Sequence, residues 1–208
     1  LRINSPGGSP VQAGYINDEI RRLKEKHADI PVYAVVTDLC ASGGYYIAVA
    51  ADEIYVDKAS IVGSIGVLMS SFGLVEGMEN LGIERRLITA GEHKGIMDPF
   101  SPAEEFDRGY IQQMLNKIHQ QFIAVVRKGR GDRLKETEET FSGLFWTGEE
   151  SVAIGLADAP ESGIEILTRA GAILGTDGRL RFPPALVEDA LAKACREITP
   201  TMLSVASE

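Results

Sequence analysis

Cysteine is scarce in this chain of 208 residues, with only Cys40 and Cys195 present. Two lone cysteines make neither a disulfide framework nor a CxxC metal site, so both read as ordinary packing residues. Long apolar runs are also missing. Tyr45 to Ala51 is short, and Ile61 to Val75 is interrupted by Gly63, Ser64, Gly66, Ser70, Ser71 and Gly73, whereas a bilayer span needs about 20 apolar residues in succession. Positive charge is in deficit, 21 Lys+Arg against 30 Asp+Glu for a net charge of −9. A nucleic-acid surface needs clustered cationic charge, so DNA and RNA are not expected partners. Internal repeats and charge blocks that would mark a linker are lacking too. The chain opens at Leu1 on an apolar-alternating segment, with neither a methionine nor a basic region leading into an apolar one. It reads as a fragment, with any targeting signal or anchor further upstream.

What is present describes a folded protein. With 44% hydrophobic and 25% charged residues the chain can bury a sizeable core, as a single large α/β unit or as one domain with an appendage. Leu1 to Asn4 reads as a strand, Ser5-Pro6-Gly7-Gly8-Ser9 as a turn, and Val11 to His27 as a helix with Val11, Tyr15, Ile16, Ile20 and Leu23 at helical spacing. Pro31 to Val36 is a continuous β-branched run, expected of a strand buried on both faces. It leads through Ser42-Gly43-Gly44 into a short helix ending near Ala51. This βαβα alternation predicts a parallel sheet flanked by helices. Further strands are expected at Glu53 to Val56, Gly66 to Ser70 and Ile83 to Thr89, with a helix over Phe72 to Asn80. Ser101, Pro102 and Glu104 have the spacing of a capping box. The long helix it would open carries an apolar stripe of Phe106, Tyr110, Met114, Leu115, Ile118, Phe122 and Val125 and ends near Gly129 to Gly131. Thr147 and Glu150 form a second capping box, opening a helix to Ile154. Ala185 to Ile198 has a weaker helical pattern.

The glycine pairs Gly7-Gly8 and Gly43-Gly44 both follow strands in consecutive βα units. They therefore fall at the carboxyl edge of the sheet, where open α/β folds bind ligands. Ser42 precedes the second pair. A serine there commonly caps the helix. As a nucleophile it would have the N–H groups of the glycine turns as an oxyanion hole and would need a base. His27 and His119 read as surface or packing residues. His93 and Lys94 share a loop, and either could take the proton. A lysine with a pKa near 10.4 is neutral in only roughly 0.04% of molecules at pH 7. A working lysine base therefore requires burial, with Glu92 and Asp98 directed elsewhere.

The strings RINSPGGS, ASGGYYIAVAADEIYV, IVGSIGV, LGIERRLITAGEHKGIMDPFSP and FWTGEESVAIGLAD resemble the signal peptide peptidase A family of bacterial serine proteases, which has the Clp protease and crotonase superfold. The resemblance covers Leu1 to Asp158 as the catalytic domain and leaves residues 159–208 as a divergent tail. It implies a βαβ superhelix and a Ser/Lys dyad. Ser42 stands at the nucleophile position, Lys94 at the general base, and Ser64 at the serine that hydrogen-bonds the lysine amine. Gly7, Gly8 and Gly43 stand at oxyanion-hole positions. No metal or cofactor is implied. The family forms homo-oligomers in which the lysine of one protomer meets the serine of its neighbour. It acts on residual signal peptides and other apolar peptides at the extracytoplasmic face of a membrane, held there by an upstream anchor. Three alternatives stand beside this reading: a crotonase-type acyl-CoA enzyme, an inactive oligomeric scaffold, and a Ser42/His93 pair.

Overall fold

The computed structural model describes residues 1–159 and, beyond them, Thr168, Ile173–Leu174, Thr176, Leu180–Arg181 and Pro184. The chain forms two units, Leu1–Pro160 and Glu161–Glu208. In the second, Ile173–Leu174 pairs antiparallel with Leu180–Arg181. Cys195 and the helix expected over Ala185 to Ile198 lie outside the described residues.

In the first unit, β1 (Arg2–Ser5), α1 (Pro10–Lys26), β2 (Tyr33–Ala41), α2 (Gly43–Ala48) and β3 (Glu53–Tyr55) make two consecutive βαβ units. The parallel sheet flanked by helices that the sequence predicts is the architecture observed. β2 is its axis. Its Val35 pairs in parallel with Arg2 of β1 on one edge and with Tyr55 of β3 on the other. Further along that second edge, Leu39, Cys40 and Ala41 pair in parallel with β4 (Ile61–Gly63). β5 (Phe145–Thr147) adds antiparallel to β4. The expected burial of the Pro31 to Val36 run holds for its second half, with Ala34, Val35 and Val36 at 4% exposure or less, while Pro31 and Tyr33 are exposed and Val32 is half-buried. It packs in one core with Ile54, Val56, Val62, Ile65 and Leu156 and with Tyr45, Phe122 and Val126 from the helices. Each such aliphatic side chain contributes roughly 1.5–3 kcal/mol on burial.

The short helix α2 is tied from both sides. From α1, the buried Asn17 donates through Nδ2 to the Tyr46 carbonyl at 2.6 Å, and Arg21 Nε donates to Asn17 Oδ1 at 2.8 Å. From the far side, the Tyr45 hydroxyl donates to the Leu156 carbonyl at 2.7 Å. Burial pushes the Tyr45 phenol up, which keeps it a donor. Leu156 is held in turn by a buried ionic clamp. Arg130 donates through both terminal nitrogens to Asp158, each at 2.8 Å, and through Nε to the Gly155 carbonyl at 2.7 Å. Asp158 also accepts from the Ile54 N–H at 2.7 Å.

Elsewhere the structure departs from the sequence pattern. Gly66 to Ser70 and Ile83 to Thr89 are not strands. They flank the one-and-a-half-turn helix α3 (Val75–Asn80) in an arm whose Leu68 (82%), Phe72 (83%) and Ile88 (96%) stand exposed. Their alternating pattern has no neighbouring strand here to pair with. The long helix α4 (Glu105–Arg130) takes Glu104, not Ser101, as its N-cap residue. The Ser101 hydroxyl instead donates to Asp98 at 2.7 Å. Of the expected apolar stripe of α4 only Phe122 is buried, with Leu115, Ile118 and Val125 half-buried and Phe106, Tyr110 and Met114 exposed; the buried face runs instead through Ile111, Phe122, Ile123 and Val126. In α1 the buried face is Ala13, Asn17 and Ile20, and Val11 and Tyr15 point outward. The second capping box is present as read. Thr147 accepts from Glu150 N, and Glu150 accepts from Thr147 N, at the start of α5 (Gly148–Ala153).

Candidate active site

Ser42 stands where β2 becomes α2, with φ 50° and ψ −121°. A non-glycine residue held there stores on the order of 1–3 kcal/mol of strain and persists only where its surroundings over-determine it. Here they do. The Ser42 N–H donates to the Gly63 carbonyl at 2.8 Å, and its carbonyl accepts from Tyr46 N at 2.9 Å in the first turn of α2. The strand–turn–helix path leaves Ser42 half-buried in the lining of a cleft.

The Gly7-Gly8 turn faces it. Gly7 has φ +112°, and a Cβ placed on it would lie 2.6 Å from the Ser42 Cβ and 3.0 Å from its Oγ, so only glycine fits. A Cβ on Gly43 would lie 3.2 Å from the Gly8 nitrogen. The backbone amides of Gly8 and Gly43 thus flank one small space beside Ser42. The Gly7 N–H is directed to Ser5 Oγ at 3.2 Å, which makes space the main contribution of Gly7.

This space opens into a cleft of about 860 Å³. Gly8, Ser42, Gly43 and Ser64 line it, with Val11, Tyr15, Tyr46, Leu68, Ile118 and Phe122 among its apolar walls. Ser64 has φ 51°, and its N–H donates to the Leu144 carbonyl at 2.7 Å. The non-glycine residues with positive φ among the described residues are Ser42, Ser64 and Met97. Two of the three therefore border the cleft. Two residues before Ser42, Cys40 is fully buried in β2, and burial pushes its thiol up to about 12, which leaves it unreactive.

Lys94 is not among the residues lining the cleft. It lies exposed on the arm, three residues before Met97 with its φ of 57°. The loop around it is anchored. Asp98 pairs with Arg85 and accepts from Ser101, and so is engaged away from the lysine. His93 stacks on Phe106 of α4 with ring centroids 4.4 Å apart. Among the described residues lining the cleft there is no lysine, arginine, histidine or carboxylate. The structure therefore brings Ser42, Ser64, Gly7, Gly8 and Gly43 together and leaves Lys94 outside. His119, read from the sequence as a surface or packing residue, is half-buried with its ring hydrogen-bonded to the Ile65 carbonyl next to Ser64. Among the described residues no group of His, Cys, Asp and Glu is placed to hold a metal ion. No helix of that part of the chain is long and apolar enough to cross a membrane.

Comparison with known proteins agrees with the sequence strings. The chain is 46% identical over 158 residues to a Brucella melitensis protein named Na(+)/H(+) antiporter NhaA, a match that takes 76% of this chain and 21% of that one. It is 36% identical over 161 residues to a Methanocaldococcus jannaschii protein named as a protease, covering 76% of this chain and 50% of that one. To the chloroplastic serine protease SPPA of Arabidopsis thaliana it is 31% identical over 163 residues, covering 76% and 23%. The chain thus spans from about a fifth to half of the length of these relatives. Among solved structures it is similar to a membrane-bound stomatin-specific protease, with TM-score 0.49 and 18% identity over 87% of this chain and 74% of that one. The family match itself, to peptidase family S49, runs over residues 24–172, most of the chain, and the chain belongs to that family.

Proposed function

We propose that this chain is the catalytic part of a serine endopeptidase that cuts apolar peptides, residual signal peptides among them, with a Ser42/Lys94 dyad completed between copies of the chain. One observation carries the reading. Ser42 is held in a strained turn against the Gly8 and Gly43 amides, in a cleft whose own lining offers no base. Lys94 of a neighbouring copy supplies that base, and docking of the arm removes it from water. Removal from water favours the neutral amine, and the engagement of Asp98 with Arg85 and Ser101 keeps a carboxylate from opposing this.

The Ser42 Oγ then attacks the peptide carbonyl carbon while its proton passes to the neutral Lys94 Nζ. The carbonyl oxygen gains charge between the Gly8 and Gly43 N–H groups, each such donor contributing about 3 kcal/mol in the transition state. Ser64 hydrogen-bonds the lysine amine and orients it. Collapse breaks the C–N bond, and the ammonium returns the proton to the leaving amine. Water next attacks the ester carbon while Lys94 takes its proton, and as the C–Oγ bond breaks the ammonium returns that proton to the Ser42 Oγ, which frees the acid and regenerates both residues. The apolar walls from Val11, Tyr15 and Phe122 suit aliphatic and aromatic side chains of the substrate.

The test is hydrolysis of a fluorogenic apolar peptide, with particle size measured on the same sample. Ser42→Ala and Lys94→Ala are each expected to lose at least about 10³-fold in turnover. Mixing and reassembling the two inactive variants should restore part of it, because some neighbouring pairs then carry one intact serine and one intact lysine. Full activity in Lys94→Ala would sink the dyad, and no recovery on mixing would confine the site to one chain.

A further inference from the structure

The three histidines of the chain have different surroundings. His27 is the C-cap residue of α1, and His93 stacks on Phe106. His119 is tied to the cleft. It sits on α4 one residue after Ile118 and three before Phe122, both of which line the cleft, and its Nε2 lies 2.9 Å from the Ile65 carbonyl oxygen. A carbonyl only accepts, so Nε2 carries the proton and donates.

The turn it reaches is the one that presents Ser64. Each backbone group of that turn used so far has a partner. The Gly63 carbonyl takes the Ser42 N–H at 2.8 Å, the Ser64 N–H goes to the Leu144 carbonyl at 2.7 Å, and the Ser64 carbonyl takes the Gly66 N–H at 2.9 Å. The Ile65 side chain is fully buried, which fixes one side of its peptide, and His119 fixes the oxygen on the other. A left-handed serine persists only while its neighbours hold it. Without the His119 donor, the peptide between Ile65 and Gly66 can turn, and Ser64 can relax toward negative φ. Gly63, immediately before Ser64, is also the acceptor for the Ser42 N–H, so the same relaxation reaches the nucleophile.

We infer that His119 is a positioning residue: its imidazole, clamped on the Ile65 carbonyl, holds the Ser64 turn and through Gly63 the backbone of Ser42 in working geometry. This rests on the reading of Ser42 and Ser64 as members of the proposed site. His119 touches no reacting atom in this scheme, and it acts before and after the chemical step alike.

The experiment compares His119→Leu, which fills similar volume without a donor, with His119→Gln, whose amide can donate, in the assembled protein acting on the fluorogenic apolar peptide. Thermal midpoints are recorded for both. The expected result is a fall of tenfold or more in kcat for His119→Leu with KM within twofold, and recovery of most of kcat in His119→Gln at a similar midpoint. A kcat for His119→Leu within twofold of the parent, or equal losses in both variants that follow their thermal midpoints, overturns the inference. Ser42→Ala run alongside separates the two claims. If it stays active, the site reading fails and takes this inference with it. If it is dead while His119→Leu is active, only the inference falls.

Discussion

Two stretches of similar apolar content meet opposite fates in this molecule. From Ile3 to Ile65 the hydrophobic residues of β1, β2, α2, β3 and β4 close on one another and on α4, and the strained Ser42 and Ser64 are pinned by hydrogen bonds. From Leu68 to Ile88 the chain carries Leu68, Met69, Phe72, Leu74, Leu81, Ile83, Leu87 and Ile88, all exposed. The difference is one of partners, not composition. The first stretch carries its cover within the chain, and the second has the profile of a surface that is covered from outside. In the proposed peptidase that cover is the neighbouring copy, and the arm that lacks a partner is the arm that carries Lys94.

The sharpest contrast comes from the clamp under the first stretch. Arg130→Met leaves Asp158 partly buried without its bidentate partner, and breaking such a pair costs about 3–5 kcal/mol. Chemical denaturation should show that loss. A smaller effect comes from acid. Burial pushes the Asp158 carboxyl up, but hydrogen bonds from Arg130 and the Ile54 N–H, with the charges of Arg130 and Arg133, outweigh it and hold the carboxyl below its ordinary range. Its folded pKa is therefore lower than its unfolded one. The stabilisation is complete above the unfolded value of about 4 and is lost as pH falls through the folded value. Denaturant midpoints taken from about pH 6 down to about pH 3 should drop more steeply in the parent than in Asp158→Asn. The smallest effect on folding belongs to the arm. Ile88→Ser, at a residue 96% exposed, should change the stability of the isolated chain by no more than about 0.5 kcal/mol while shifting sedimentation toward smaller species. A large destabilisation of the monomer by Ile88→Ser would erase the contrast between the two stretches.

The first four elements were legible because each had a local cause. The β-branched run of β2 and the glycine turns that open α1 and α2, like the Thr147 and Glu150 capping pair further along at α5, act within a few residues of themselves. The placement of Ser42 beside Gly7 followed from the same βα repeats, which bring two turns to one sheet edge. Failures came where a residue's partner is distant or competing. Phe145–Thr147 is a three-residue strand recognisable only once β4 lies beside it. Ser101 has the spacing of an N-cap, but Asp98 takes its hydroxyl. The patterns of Gly66 to Ser70 and Ile83 to Thr89 recorded a need for cover and said nothing of its source. His119 reads as packing by periodicity, since its bond goes to a carbonyl 54 residues away.

The near contact between Gly7 and Ser42 also limits which side chains can occupy the nucleophile position. A β-branched residue is poorly tolerated at φ 50°, and any substituent on Gly7 would already crowd the Cβ of Ser42. Threonine, chemically the nearest alternative alcohol, is therefore shut out by backbone shape before reactivity is considered. Among nucleophilic side chains only the unbranched ones fit, so the route open to an altered nucleophile at this position runs through cysteine.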